Sequence, residues 1–129
     1  PRPADEVVEV RLPRRLPAGK TRIAFGFRGV LQKMLRGFYG ATSEGRRYAF
    51  TQLEATDARR FFPCFDEPSF KARFTFTVTT EAKNAVISNS PIEREEALGS
   101  GRKRVHFATT PRLSTYLCAL CVGELEASE

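Results

Sequence analysis

Apolar and polar residues alternate with a period of two along most of this chain, and the 3.6-residue period of an amphipathic helix is nearly absent. Ile23, Phe25 and Phe27 fall on one side of such a pattern, with Arg22, Ala24, Gly26 and Arg28 on the other. Phe74, Phe76 and Val78 alternate with Arg73, Thr75, Thr77 and Thr79, which predicts a half-buried strand with a solvated threonine face. Val105 and Phe107 alternate with Arg104 and His106, and Ala85 to Ser88 reads as a further short strand. The run Thr115 to Val122 is apolar in both phases, so it is expected as one strand lying inside the sheet system.

Turn chemistry separates these segments. Ser43-Glu44-Gly45 divides Phe38–Ala41 from Arg47–Thr51 and predicts a hairpin. Asn89-Ser90-Pro91 closes one strand and Gly99-Ser100-Gly101 opens the next. Only Thr56 to Arg60 suggests helix, a short turn capped by Thr56 that Pro63 must end. Pro1-Arg2-Pro3 and Ser128-Glu129 carry no strand pattern. Short, regularly spaced strands of this kind predict an all-β fold, an antiparallel sandwich or saddle with Phe25, Phe74, Phe76 and Phe107 inside.

Composition narrows the class. At 129 residues with 41% hydrophobic content and 11 Phe, the chain has enough apolar surface for one domain with one core. No stretch approaches the about 20 apolar residues of a membrane-spanning helix, and Pro1 to Pro17 holds no apolar h-region. Three cysteines, Cys64, Cys118 and Cys121, are an odd number for a disulfide framework, which points to a reduced, cytoplasmic compartment. The net charge of +6 is spread along the chain; Arg14-Arg15 and Arg102-Lys103-Arg104 read as solvated charge, and no nucleic-acid partner is expected.

Several familiar chemistries fail on context. Gly19-Lys20-Thr21 resembles the end of a phosphate-binding loop, but Arg14 stands where that loop needs glycine. Cys118 and Cys121 have the spacing of half a zinc site or of a redox pair, yet they lie in an apolar run and no second pair exists. Buried, inert thiols on opposite faces of a strand are expected instead. His106 is the only histidine, so neither a zincin motif nor a histidine ligand pair can form in these residues.

The segment Thr51 to Arg73, TQLEATDARRFFPCFDEPSFKAR, is denser in potential chemistry. Gln52 and Glu54 sit two apart, so on a strand both project from one face while Leu53 points to the other. A carboxylate beside an amide is a suitable receptor for an ammonium group. Arg59, Arg60, Asp66 and Glu67 surround two prolines in an irregular stretch, where charges must be paired if buried.

This segment resembles the hallmark of the N-terminal domain of aminopeptidase N-family enzymes, which runs much like TQFE-x-TDARR-x-FPCFDEP-x-x-KA-x-F. The likeness extends from Arg28 to Glu126 through Leu35-Arg36-Gly37-Phe38-Tyr39, Ile87-Ser88-Asn89, Ser114-Thr115-Tyr116-Leu117 and Val122-Gly123-Glu124-Leu125-Glu126. It is most similar to the puromycin-sensitive and oxytocinase-like branch. Leu53 in place of Phe, Gly40-Ala41 in place of Arg-Ser, and Leu113 in place of Met are departures from the usual pattern. The resemblance implies a zinc metalloaminopeptidase as parent, with zinc bound by a following catalytic domain that carries GAMEN and HExxH, and no metal bound by residues 1–129. It implies that those residues are a single, shortened N-terminal β domain, inactive alone, lacking the first strands of that domain. The implied partners are the parent's catalytic domain and, through it, peptide N-termini. Gln52 and Glu54 match the wall of the subsite that receives the substrate's free N-terminus. Asp57, Arg59, Asp66 and Glu67 match positions expected to scaffold that wall through ion pairs and caps.

Overall fold

A computed structural model describes residues 6–126; Pro1-Arg2-Pro3 and Ser128-Glu129 lie outside them. Nine strands follow in order: β1 (Gly37–Ser43), β2 (Arg46–Gln52), β3 (Lys71–Ala72), β4 (Thr77–Glu81), β5 (Ala85–Ser88), β6 (Ile92–Gly99), β7 (Arg102–Phe107), β8 (Leu113–Ser114) and β9 (Leu120–Gly123). All strand pairs are antiparallel, and they assemble into sheets ordered β1-β2-β9-β5, β4-β7-β6 and β3-β8. The two larger sheets face one another. Val86 and Leu120 from the first meet Val105 and Phe107 from the second, with Phe38, Phe61, Phe76, Val78 and Val122 packed around them. The all-β antiparallel architecture is the one the alternation predicts.

The β1–β2 and β6–β7 hairpins both turn through positive φ, with glycine beside a single non-glycine residue, Glu44 or Ser100. Glu44 (φ 50°) and Gly45 (φ 76°) form the two-residue tip between β1 and β2, the backbone that matches the strands' right-handed twist. Phe74 to Glu81 alternates half-buried and exposed positions as expected. The outward hydroxyls are used: Thr75 and Thr109 lie 2.7 Å apart, and Thr77 reaches His106 at 3.2 Å.

Three expectations are corrected. The Arg22–Arg28 alternation forms no strand, because residues 8–31 make no ladder pairing; Ile23, Phe25 and Phe27 are exposed, Phe25 by 50%. A period of two defines a face, but a strand also needs a partner for its backbone and a cover for that face. Second, the run from Thr115 is not one strand. It makes a 3-10 turn (Thr115–Leu117), passes through Cys118 and Ala119, and enters the sheet only at Leu120. Cys118 and Cys121 therefore do not share a strand: Cys118 is buried in a second cluster with Leu53 and Ala58, and Cys121 is half-buried in β9.

The physical reason lies in side chains that replace the ladder. Asn89 Nδ2 donates to the Leu117 carbonyl (2.8 Å), while Asn89 Oδ1 accepts from Ala119 N–H (2.7 Å). Ser88 Oγ donates to the Ala119 carbonyl (2.8 Å), and Thr51 Oγ1 accepts from Leu120 N–H (2.9 Å). Ser88-Asn89 thus ends β5 by binding the neighbouring chain through side chains instead of backbone. The third correction is at the short turn Ala58–Arg60: Asp57, not Thr56, occupies its N-cap position, and its side chain makes no capping bond.

Gly37 opens β1 with φ 69°, and an added Cβ would stand 2.7 Å from Arg60 Cβ. Gly45 has φ 76° with open space around it. Gly45→Ala should therefore cost only the left-handed backbone strain of about 1–2 kcal/mol. Gly37→Ala should cost distinctly more, since the backbone carrying Arg60 must also shift. Denaturant melts of the two variants check the order; equal losses would remove the close approach as the reason for glycine at position 37.

Candidate functional site

Strand β2 stops at Gln52, opposite Gly37 where its partner β1 begins, and Leu53, 2% exposed, points into the cluster with Ala58 and Cys118. The Asp57 amide then donates to the Leu53 carbonyl (2.9 Å), and Arg60 N–H to Asp57 O (3.0 Å), winding the chain into the 3-10 turn. Ala58 is wholly buried at its centre, where a larger side chain has no room.

Two buried carboxylates hold this loop. Asp57, 4% exposed, accepts from Arg36 Nε (2.9 Å), Arg36 Nη2 (3.2 Å) and Arg60 Nε (2.8 Å). Burial pushes its pKa upward, but the hydrogen bonds from Arg36 and Arg60, with their charges, outweigh that and hold the carboxyl below its ordinary value. Asp66 accepts from Arg59 backbone N–H (3.0 Å), Arg59 Nε (2.9 Å) and Thr115 Oγ1 (3.0 Å). Thus Asp57, Arg59 and Asp66 are scaffold, as expected. Glu67 is not: its side chain is exposed and enters no ion pair among the described residues, only its carbonyl accepting from Phe70 N–H. Arg36 is the partner that the sequence reading missed. No local pattern signals it, since Arg36 lies 21 positions upstream of Asp57 and two nearer arginines, Arg59 and Arg60, stand beside that carboxylate.

Gln52 and Glu54 are both exposed on either side of buried Leu53. Glu54 lies beyond the end of β2, so the two do not share a strand, although the in–out alternation persists through Leu53. Among the described residues no side-chain hydrogen bond or ion pair engages either one. Glu54 and Glu67 are thus the two carboxylates of the segment left without a side-chain partner among the described residues, and only Glu54 stands beside an equally unengaged amide, that of Gln52.

The remaining candidates are otherwise employed. His106 lies on the outer side of the β4-β7-β6 sheet, its Nε2 3.0 Å from both Glu96 Oε1 and Arg94 Nη2. Lys103 and Arg104 pair with Glu95 and Glu96 across the β6–β7 hairpin, so much of that basic cluster is neutralised locally. Burial and the charge of Asp66 push the Cys64 thiol up to about 11, and burial pushes Cys118 up to about 12; both are protonated, poor ligands and poor nucleophiles. The described residues hold no group of three or more His, Cys, Asp or Glu placed to take a metal, so they do not fit a zinc site. No helix among them is long and apolar enough to cross a membrane.

The described residues thus form an antiparallel β domain of two larger sheets and one small one, with a loop braced by arginine–carboxylate pairs. The chain belongs to the peptidase M1 N-terminal domain family, whose model matches residues 2–117. It is 40% identical to aminopeptidase M1-A of Oryza sativa subsp. japonica over 98% of this chain and 15% of that protein. It is 44% identical to the alanine/arginine aminopeptidase of Saccharomyces cerevisiae, over 88% of this chain and 14% of that protein. The puromycin-sensitive aminopeptidase of Caenorhabditis elegans is 40% identical over 93% of this chain and 13% of its own length. The chain thus spans about one-seventh of these relatives, all named as aminopeptidases.

Because its folded pKa is depressed, Asp57 contributes stability that is fully present above its unfolded value of 3.8 and is lost as pH falls through the folded value. Asp57→Asn should cost about 1–3 kcal/mol at neutral pH, the range for hydrogen bonds to a charged group, and should flatten stability below that value. Thermal unfolding between neutral pH and acid checks this; an unchanged acid limb would show that the pairing with Arg36 and Arg60 contributes nothing.

Proposed function

We propose that residues 1–129 form one N-terminal β domain of a zinc metalloaminopeptidase, and that Gln52 and Glu54 help to receive the free N-terminus of its peptide substrate. The observation that carries this is the pair itself: exposed, uncommitted, and set at the rim of a braced loop in the segment most similar to the family hallmark. Glu54 would accept a hydrogen bond from the substrate α-ammonium as an ion pair, and Gln52 a weaker one through its uncharged amide oxygen. An exopeptidase must fix its substrate by that end, so that one particular peptide bond is presented for cleavage. The bracing by Asp57 and Asp66 supports such a role, because a receptor held in place loses little entropy on binding.

Zinc and the hydrolytic groups belong, in this reading, to the catalytic domain of the parent polypeptide, the other partner of this domain. The three free thiols support a reducing, cytoplasmic setting. Residues 1–129 alone should not hydrolyse aminoacyl arylamides. Chelator-sensitive turnover by that piece, purified to constant specific activity, would contradict the assignment.

In the parent enzyme, Glu54→Ala should remove about 1.5–3 kcal/mol of binding to the ammonium. At 1.4 kcal/mol per decade this is about ten- to a hundredfold in kcat/KM. Gln52→Ala should cost less, about 1 kcal/mol. The Glu54 loss should shrink for inhibitors lacking a free amine. Equal losses for matched amine and des-amino compounds, with lowered thermal stability, would make Glu54 a structural residue only.

A further inference from the structure

Phe65 and Phe70 project from the loop that carries Asp66, 79% and 57% exposed, with ring centroids 5.7 Å apart. The backbone beneath them is anchored throughout. Before Phe65, Cys64 packs against the Leu53–Ala58–Cys118 cluster. Between the two rings, Asp66 is bound by Arg59 and Thr115, and Ser114 Oγ donates to the Pro68 carbonyl (2.6 Å). Phe70 N–H closes onto the Glu67 carbonyl (2.9 Å), and Lys71 and Ala72 then pair with Ser114 and Leu113. These anchors hold the backbone beneath both rings, and shifting it would break a buried carboxylate's bonds or the β3–β8 ladder.

Single exposed apolar side chains are ordinary. Two adjacent aromatics fixed outward on an anchored loop, rimmed by exposed Glu67 and Lys71, have the form of an interface anchor. We propose that Phe65 and Phe70 dock this domain onto an apolar surface of the polypeptide that accompanies it in the parent aminopeptidase. This rests on the reading that the chain is one domain of such an enzyme. Area selects that occupant over a second copy or a separate protein. Two phenylalanines bury roughly 150–250 Å² each, by the range for aromatic side chains. A stable complex of separate proteins needs about 800 Å² per partner. A covalently tethered neighbour, held at an effective concentration in the millimolar range, needs far less. The aligned relatives carry most of their length outside the matched segment, 85% of it in the rice enzyme (100% less the 15% covered).

The test is hydroxyl-radical footprinting of the full parent polypeptide, with oxidation at each ring normalised to the same polypeptide in denaturant. Docking predicts that both rings react several-fold more slowly in the native monomer. Phe65→Ser/Phe70→Ser should speed proteolysis between the domains while amide exchange in β2, β7 and β9 stays unchanged. Oxidation near the denatured rate in the native monomer would overturn the proposal. So would protection that grows with protein concentration, which assigns the patch to a second copy, or protection that requires added peptide, which makes it a ligand site. An arylamide assay on the same sample keeps the two readings apart: absence of aminopeptidase activity would refute the functional reading, while ring protection still decides the docking.

Discussion

Asp57 and Asp66 tie the irregular stretch 53–70 to the sheets on either side of it. Asp57 joins the turn to Arg36, immediately before β1, while Asp66 joins it to Thr115, at the turn before β9. A buried carboxylate without donors is costly, and one with three donors tolerates little displacement. Most other features of the loop follow. Ala58 can be wholly buried, Leu53 can point inward, and Gln52, Glu54, Phe65 and Phe70 can face outward without the loop collapsing onto them. The outward residues are thus fixed by charges that never reach the surface themselves.

The same logic explains why several motif residues have the identities they have. Glycine at 37 lets β1 begin against the backbone side of Arg60. Asparagine at 89 offers a donor and an acceptor on one side chain, which is what a backbone stretch leaving a sheet requires. Threonine at 51 serves Leu120 in the same manner from β2. In each case a short polar or absent side chain resolves a local accounting problem in backbone hydrogen bonding or space.

Strand phase and turn position were legible in the sequence wherever a partner strand exists. Phe74, Phe76 and Val78 keep the predicted inward phase although β4 begins only at Thr77, while Ala85 to Ser88 and the Glu44-Gly45 tip lie where alternation and glycine chemistry put them. Alternation misled at Ile23 to Phe27, because a pattern specifies a face without specifying what covers it. It misled again from Thr115 to Ala119, where the backbone is satisfied by side chains of Ser88 and Asn89 that no local pattern reveals. Within the loop, the pairing of Arg59 with Asp66 was readable as charge in need of charge. The contribution of Arg36 was not, since it comes from 21 positions upstream of Asp57. Gln52 and Glu54 were legible as a pair, although the strand that was to carry both ends at the first of them.

β9, the last strand among the described residues, occupies the middle of the four-stranded sheet, between β2 and β5. During synthesis the β1–β2 hairpin can form early, being local, and so can the β6–β7 hairpin. The first of the two sheets nevertheless has no way to join its halves until Leu120 to Gly123 have left the ribosome. Until then the inner faces of β2 and β5 lack the strand that bridges them, and Leu120 is missing from the shared core. This four-stranded sheet is therefore completed by the last-made of its strands. The moment of greatest exposure to misassociation in a nascent chain falls just before that strand arrives.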